Sequence, residues 1–82
     1  MTRGQALYHG ICIALGLDPD GWGVRATVAR EAGIHAGVLG QWAAGTKDPQ
    51  RADEDRLRRR YSIDLIGLHH GGWDFEVVPQ PQ

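Results

Sequence analysis

Eighty-two residues with a formal net charge of −1 and one cysteine allow a single small domain with a thin core and exclude an internal disulfide framework. Cys12 as a free thiol fits a reducing cytoplasm, and no apolar run approaches the roughly 18–20 residues needed to span a bilayer. The N-terminal segment, with Arg3 its only charge and His9-Gly10 interrupting its apolar run, does not read as a secretory signal.

Thr2-Arg3-Gly4-Gln5 has capping-box spacing, a hydroxyl followed three residues later by an amide. With Leu7, Ile11, Ala14 and Leu15 at helical spacing, it predicts a first helix over about Arg3 to Leu15. Gly16 ends it, and Asp18-Pro19-Asp20-Gly21 is turn chemistry. A second helix is expected over about Val24 to Ala32, with Val24, Val28 and Ala29 inward. A third follows over about Ala36 to Ala44, with His35 at its start and Gly45 at its end. Thr46-Lys47-Asp48-Pro49 forms a loop, since Pro49 cannot continue a helix. A fourth helix is expected over about Arg51 to Tyr61, with Leu57 and Tyr61 on its buried stripe. Glu54–Arg58 and Asp55–Arg59 would be acid-before-base pairs four residues apart on it.

The stretch from Asp64 to Val78 supports two readings. Asp64 can cap a short fifth helix through about His70, followed by a strand over 73–78. Alternatively Gly71-Gly72 is a two-residue hairpin turn, which puts Ile66, Leu68 and His70 on one face with Trp73, Phe75 and Val77. The first reading is preferred. A lone strand needs a partner, which makes Trp73, Phe75 and Val77 candidate dimer contacts. The expected fold is therefore mainly α: four to five short helices with a central helix-turn-helix, plus a C-terminal strand paired across a dimer or within a hairpin. Residues 1–78 form the domain, and 79–82 a frayed tail.

The densest functional signal is the stretch from Val28 to Trp42. Ala29 is small where two helices would cross closely, Gly33 suits a left-handed helix end, and Ile34, Leu39 and Trp42 fall at spacings that face one core. That is the layout of a helix-turn-helix. Charge distribution supports it: residues 22–60 carry +3, residues 1–21 carry −1 and residues 61–82 carry −3.

Residues 24–71 resemble the phage-repressor helix-turn-helix family, the Cro and lambda-repressor type. The likeness rests on Val28-Ala29, Gly33-Ile34, His35, Leu39, Trp42, Gly45-Thr46-Lys47 and Pro49, and on Arg60-Tyr61-Ser62-Ile63-Asp64 as the passage out of the fourth helix. The resemblance implies that Arg25 sits where the family has a phosphate-contacting glutamine. It also implies that His35, Ala36, Gly37, Gly40 and Gln41 form the face that meets DNA. The family often places arginine, serine, glutamine or asparagine there; this chain has Ala36, Gly37 and Gly40.

Gln41 can bond adenine bidentately and Ala36 can touch a thymine methyl. Lys47 and Arg51, like Arg25, stand where loops and helix starts commonly touch phosphate. Arg56 and Arg60 are further phosphate candidates in a mostly solvated basic face. His69-His70 lack the companion ligands of a zinc site, Cys12 sits in an apolar helix where a thiol is inert, and no nucleophile elbow or phosphate loop occurs. No metal, cofactor or enzymatic activity is expected. The leading expectation is a dimeric, phage- or prophage-type transcriptional regulator that binds a palindromic operator in double-stranded DNA. The alternative is a protein-binding module on the same fold, acting as an inhibitor or adaptor through its acidic C-terminal strand.

Overall fold

The structure, a computed structural model, describes residues 1–79. It orders the chain as α1 (Arg3–Ala14), α2 (Val24–Ala32), α3 (Ala36–Ala44), α4 (Arg51–Tyr61), β1 (Ile63–Gly67) and β2 (Trp73–Val77). The capping box forms: the Gln5 N–H donates to Thr2 Oγ1 at 3.1 Å, and the Thr2 N–H to Gln5 Oε1 at 2.9 Å. At the other end the N–H groups of Gly16 and Leu17 close on the carbonyls of Ile13 and Cys12, at 3.0 and 2.8 Å. This paired closure ends α1 at Ala14, one residue before the expected Leu15.

α1 is the central element. It buries Leu7, Tyr8, Ile11 and Cys12, and these meet Val28 and Ala32 of α2, Leu39 and Trp42 of α3, Leu57 of α4 and Ile63 of β1. Two glycines set how closely its neighbours approach. A Cβ on Gly4 would stand 2.8 Å from the Lys47 carbonyl oxygen and 3.2 Å from Trp42 Cα; one on Gly10 would stand 2.9 Å from Ile63 Cγ2. Ala14, expected inward, is exposed, while Tyr8 and Cys12 take up core positions.

α4 attaches by charge as well as by Leu57. Arg3 Nε lies 3.0 Å from Glu54 Oε1, and Glu54 is only 9% exposed. Arg58 donates from Nε to the Ile63 carbonyl at 3.3 Å and lies 3.9 Å from Asp64. The expected Glu54–Arg58 pair is therefore replaced, as Glu54 faces α1 and Arg58 turns towards the hairpin, and Asp55–Arg59 is not among the ion pairs of the described residues. Arg56, expected to be available for phosphate, is occupied by the Ala32 carbonyl at 3.3 Å and by Asp53 at 3.5 Å. That cation sits favourably at the negative end of α2.

Residues 63–77 form an antiparallel hairpin in place of a fifth helix and a lone strand. Ile63 pairs with Val77, Leu65 with Phe75 and Gly67 with Trp73. The connection is longer than Gly71-Gly72 alone. The Gly71 N–H donates to the Leu68 carbonyl at 3.0 Å and the Leu68 N–H to the Gly72 carbonyl at 2.8 Å. Gly71 alone takes a positive φ, 89°, as in a type I turn closed by a left-handed residue. The offset from the two-residue register is odd, so β1 turns over. Ile63 and Leu65, not Ile66, Leu68 and His70, share the inward face with Phe75 and Val77.

Of the two expected pairings for the C-terminal strand, the one within a hairpin is observed. β2 finds its ladder partner in its own chain, and Phe75 and Val77 pack against its own core, with the Phe75 ring 6.4 Å from that of His9 on α1. Trp73 is half-buried opposite Gly67, and its N–H donates to the Met1 carbonyl at 2.8 Å. The outward face carries Asp64, Ile66, Asp74 and Glu76, all exposed. Among the described residues no helix is long and apolar enough to cross a membrane. Of the expected tail, Pro79 is exposed and outside any regular element; residues 80–82 lie outside the described residues.

Candidate nucleic-acid interface

α2 and α3 are joined by Gly33, Ile34 and His35. Gly33 takes φ 69°, a conformation that glycine reaches without steric cost, and the Ile34 N–H then closes on the Ala29 carbonyl at 3.0 Å. His35 starts α3. Its Nδ1 accepts the Gly37 N–H at 3.1 Å, so the imidazole proton is carried on Nε2, which is left as a donor. At the far end the Thr46 N–H closes on the Gln41 carbonyl at 3.0 Å.

α3 is sided. Leu39 and Trp42 are buried and Val38 and Ala43 half-buried, while Ala36, Gly37 and Gln41 are exposed and Gly40 is half-exposed. At 100° per residue, positions 36, 37, 40 and 41 fall on the side opposite Leu39 and Trp42. This outward side has almost no side chains of its own, and two side chains from outside the helix lie over it. A Cβ on Gly40 would stand 3.5 Å from Arg25 Nη1 and 3.8 Å from Arg25 Cδ; one on Gly37 would stand 3.2 Å from His35 Nδ1. Arg25, from the first turn of α2, thus extends across the middle of α3.

The same corner opens into a shallow cleft of about 660 Å³ lined by Tyr8, Pro19, Trp22, Arg25, Ala26 and Ala36, among others. Trp22 on its rim is 101% exposed; its indole touches almost nothing. Burial pushes the Tyr8 phenol up to about 12, with the neighbouring Arg25 guanidinium pulling the other way. Burial likewise raises the Cys12 thiol, which keeps it protonated and unreactive.

The structure brings together Arg25, His35, Ala36, Gly37 and Gly40, with Gln41 on the same side of α3. Lys47 lies elsewhere, in a cleft of about 170 Å³ beside Val38, Trp42, Asp48 and Asp53. Arg51 is exposed at the start of α4. Among the described residues the ion pairs are Arg3–Glu54, Arg56–Asp53 and Arg58–Asp64; Arg25, Lys47 and Arg51 are in none of them, although Asp20 lines the Arg25 cleft and Asp48 and Asp53 line that of Lys47. Trp73, Phe75 and Val77 lie on the hairpin's inner face, as described above. Sequence reasoning missed Trp22 and Tyr8. For Trp22 a signal was present: a tryptophan between two glycines in a polar turn has no helical or strand face to bury it.

The cleft offers the Arg25 cation, the Asp20 carboxylate, an indole and a phenol kept neutral, but no nucleophile–base pair among its lining residues. Among the described residues no group of three or more His, Cys, Asp or Glu side chains could hold a metal ion. No family model, curated protein or solved structure matches the chain.

Proposed function

We propose that this protein is a sequence-specific DNA-binding regulator that reads double-stranded DNA with α3, in a helix-turn-helix formed by α2 and α3. The observation that carries this reading is the outward side of α3: slim, without acidic side chains of its own, and overlaid by the Arg25 guanidinium, which is in no ion pair among the described residues. A helix of this kind fits a B-form major groove about 12 Å wide. Arg25, Lys47 and Arg51 supply positive charge, Gln41 and His35 supply side-chain donors, and Gly37 and Gly40 allow a close approach. A palindromic operator would take two copies, one α3 per half-site. The role is binding rather than catalysis.

The test is fluorescence anisotropy of the protein with the DNA upstream of its own gene and with a scrambled duplex, across a salt series. The expected result is preferential binding to the upstream duplex, with affinity falling steeply as salt rises, about 0.9 in log–log slope for each phosphate neutralised. Arg25→Ala and Gln41→Ala should each weaken it. Equal, salt-insensitive or absent binding to both duplexes would overturn the proposal.

A second reading, a protein-binding module, is favoured by one observation. The outer hairpin face sets Asp64 opposite Glu76 and Asp74 opposite Ile66, and Ile66, Leu68 and Val78 are all large apolar side chains left exposed. Capture of a basic protein partner that Asp74→Lys abolishes, with no DNA binding by the parent chain, would select this reading.

A further inference from the structure

Arg25 occupies the position where a phosphate contact is the ordinary expectation, but its side chain does not extend off the end of α2 as such a contact requires. It crosses to α3 and lies over Gly40, with Nη1 and Cδ at 3.5 and 3.8 Å from where that residue's Cβ would stand. Ala36, one turn earlier on α3, lines the same cleft. The bare stretch of α3 is thus fitted with a guanidinium borrowed from the preceding helix. It is in none of the ion pairs among the described residues; the Tyr8 phenol and the Asp20 carboxylate line the cleft beside it.

We infer that Arg25 reads a guanine base edge in the major groove, and that Gly40 is the notch that lets it do so. This rests on the DNA-binding reading above and sharpens it. A guanidinium presents two parallel N–H donors that match guanine O6 and N7, and an arginine so placed discriminates bases, whereas a phosphate contact does not. Lysine keeps the charge but not the fork. At Gly40 the distances to Arg25 are ordinary van der Waals contacts, so an alanine fits beneath the guanidinium, whereas a leucine takes the space it occupies.

The experiment is selection from a randomised duplex pool by the full chain and by its Arg25→Lys, Arg25→Ala, Gly40→Ala and Gly40→Leu variants, with thermal melts to check folding. The parent chain should enrich a motif containing one guanine whose exchange costs roughly 5- to 150-fold in affinity, the range of a bidentate arginine–base pair. Arg25→Lys, Arg25→Ala and Gly40→Leu should lose preference at that position alone. Gly40→Ala should keep it. Replacing that guanine with 7-deazaguanine, which lacks the N7 acceptor, should weaken the parent and leave Arg25→Ala unchanged. An intact motif in Arg25→Lys and Arg25→Ala, with affinity lowered uniformly and the salt slope reduced by about 1, would make Arg25 a phosphate contact and overturn the inference while leaving the DNA reading intact. A parent chain that enriches nothing would remove both. If Gly40→Leu does not fold, Arg25→Lys and the 7-deazaguanine duplex still decide the matter.

Discussion

α1 and α3 each carry two glycines, and the two pairs are put to opposite uses. Gly4 and Gly10 lie on the inward side of α1, where a Cβ would run into the Lys47 carbonyl and the Ile63 side chain. Gly37 and Gly40 lie on the outward side of α3, where the neighbours are His35 and Arg25, both exposed. The first pair trades helix propensity for close packing. The second gains less: a Cβ on Gly37 would crowd the His35 ring that caps α3, and one on Gly40 would meet only ordinary contacts. A glycine in a helix interior costs about 1 kcal/mol relative to alanine, and the side it faces shows what that cost serves.

Substitutions can break or sharpen this contrast. The largest effect should come from the inward side of α3 itself: Leu39→Ala, at a fully buried position, should cost about 3 kcal/mol in a denaturant melt. On the inward side of α1, Gly4→Ala drives a Cβ to 2.8 Å from a backbone oxygen, which cannot swing aside as a side-chain end can. Even with the propensity gain it should cost about 2 kcal/mol. A neutral or stabilising Gly4→Ala would erase the distinction between the pairs.

The same inward face of α1 should respond to alkali. Burial raises Tyr8 from 10.0 to about 12 and raises Cys12 as well, so the folded state retains protons that the unfolded chain has released. Stability is therefore full below the unfolded values and falls as pH climbs through the folded ones. The loss attributable to Tyr8 should be on the order of 2 kcal/mol between about pH 10 and 12. Chemical denaturation at stepped pH measures it, and Tyr8→Phe should flatten that part of the curve while leaving the contribution of Cys12. Where α1 meets α4, Glu54→Ala removes the mostly buried partner of Arg3 and should cost about 1–2 kcal/mol, because Arg3 remains partly solvated. The smallest effect has the opposite sign. Gly40→Ala meets only ordinary contacts and should raise stability by about 1 kcal/mol, visible as a higher melting temperature.

Much of the helical framework was legible because its signals are local. Thr2 and Gln5 announce the start of α1, Gly33 and His35 the change from α2 to α3, and Gly45 and Pro49 the break before α4; each acts through a backbone group a few residues away. The hairpin was not legible in the same way. The residue that caps α4, Ser62, takes φ 55° without being glycine, so nothing in its residue type marks the exit from the helix. The register then turned on whether one or both of Gly71 and Gly72 belong to the turn, and an odd shift was enough to move Ile66 from the core to solvent. At the candidate site, Arg25 and Gly40 could each be singled out from the sequence, but not their contact. That depends on the crossing of α2 over α3, which is a product of tertiary packing.

The exposure of Trp22 gives the molecule a built-in optical gauge. Trp42 is 1% exposed, Trp73 is half-buried and Trp22 is fully in water, so the three indoles emit from three different polarities. Emission from Trp42 shifts when the core opens, and emission from Trp22 changes when something covers the edge of α2. Comparing the chain with its Trp22→Phe form separates docking from denaturation in one cuvette, with no dye attached.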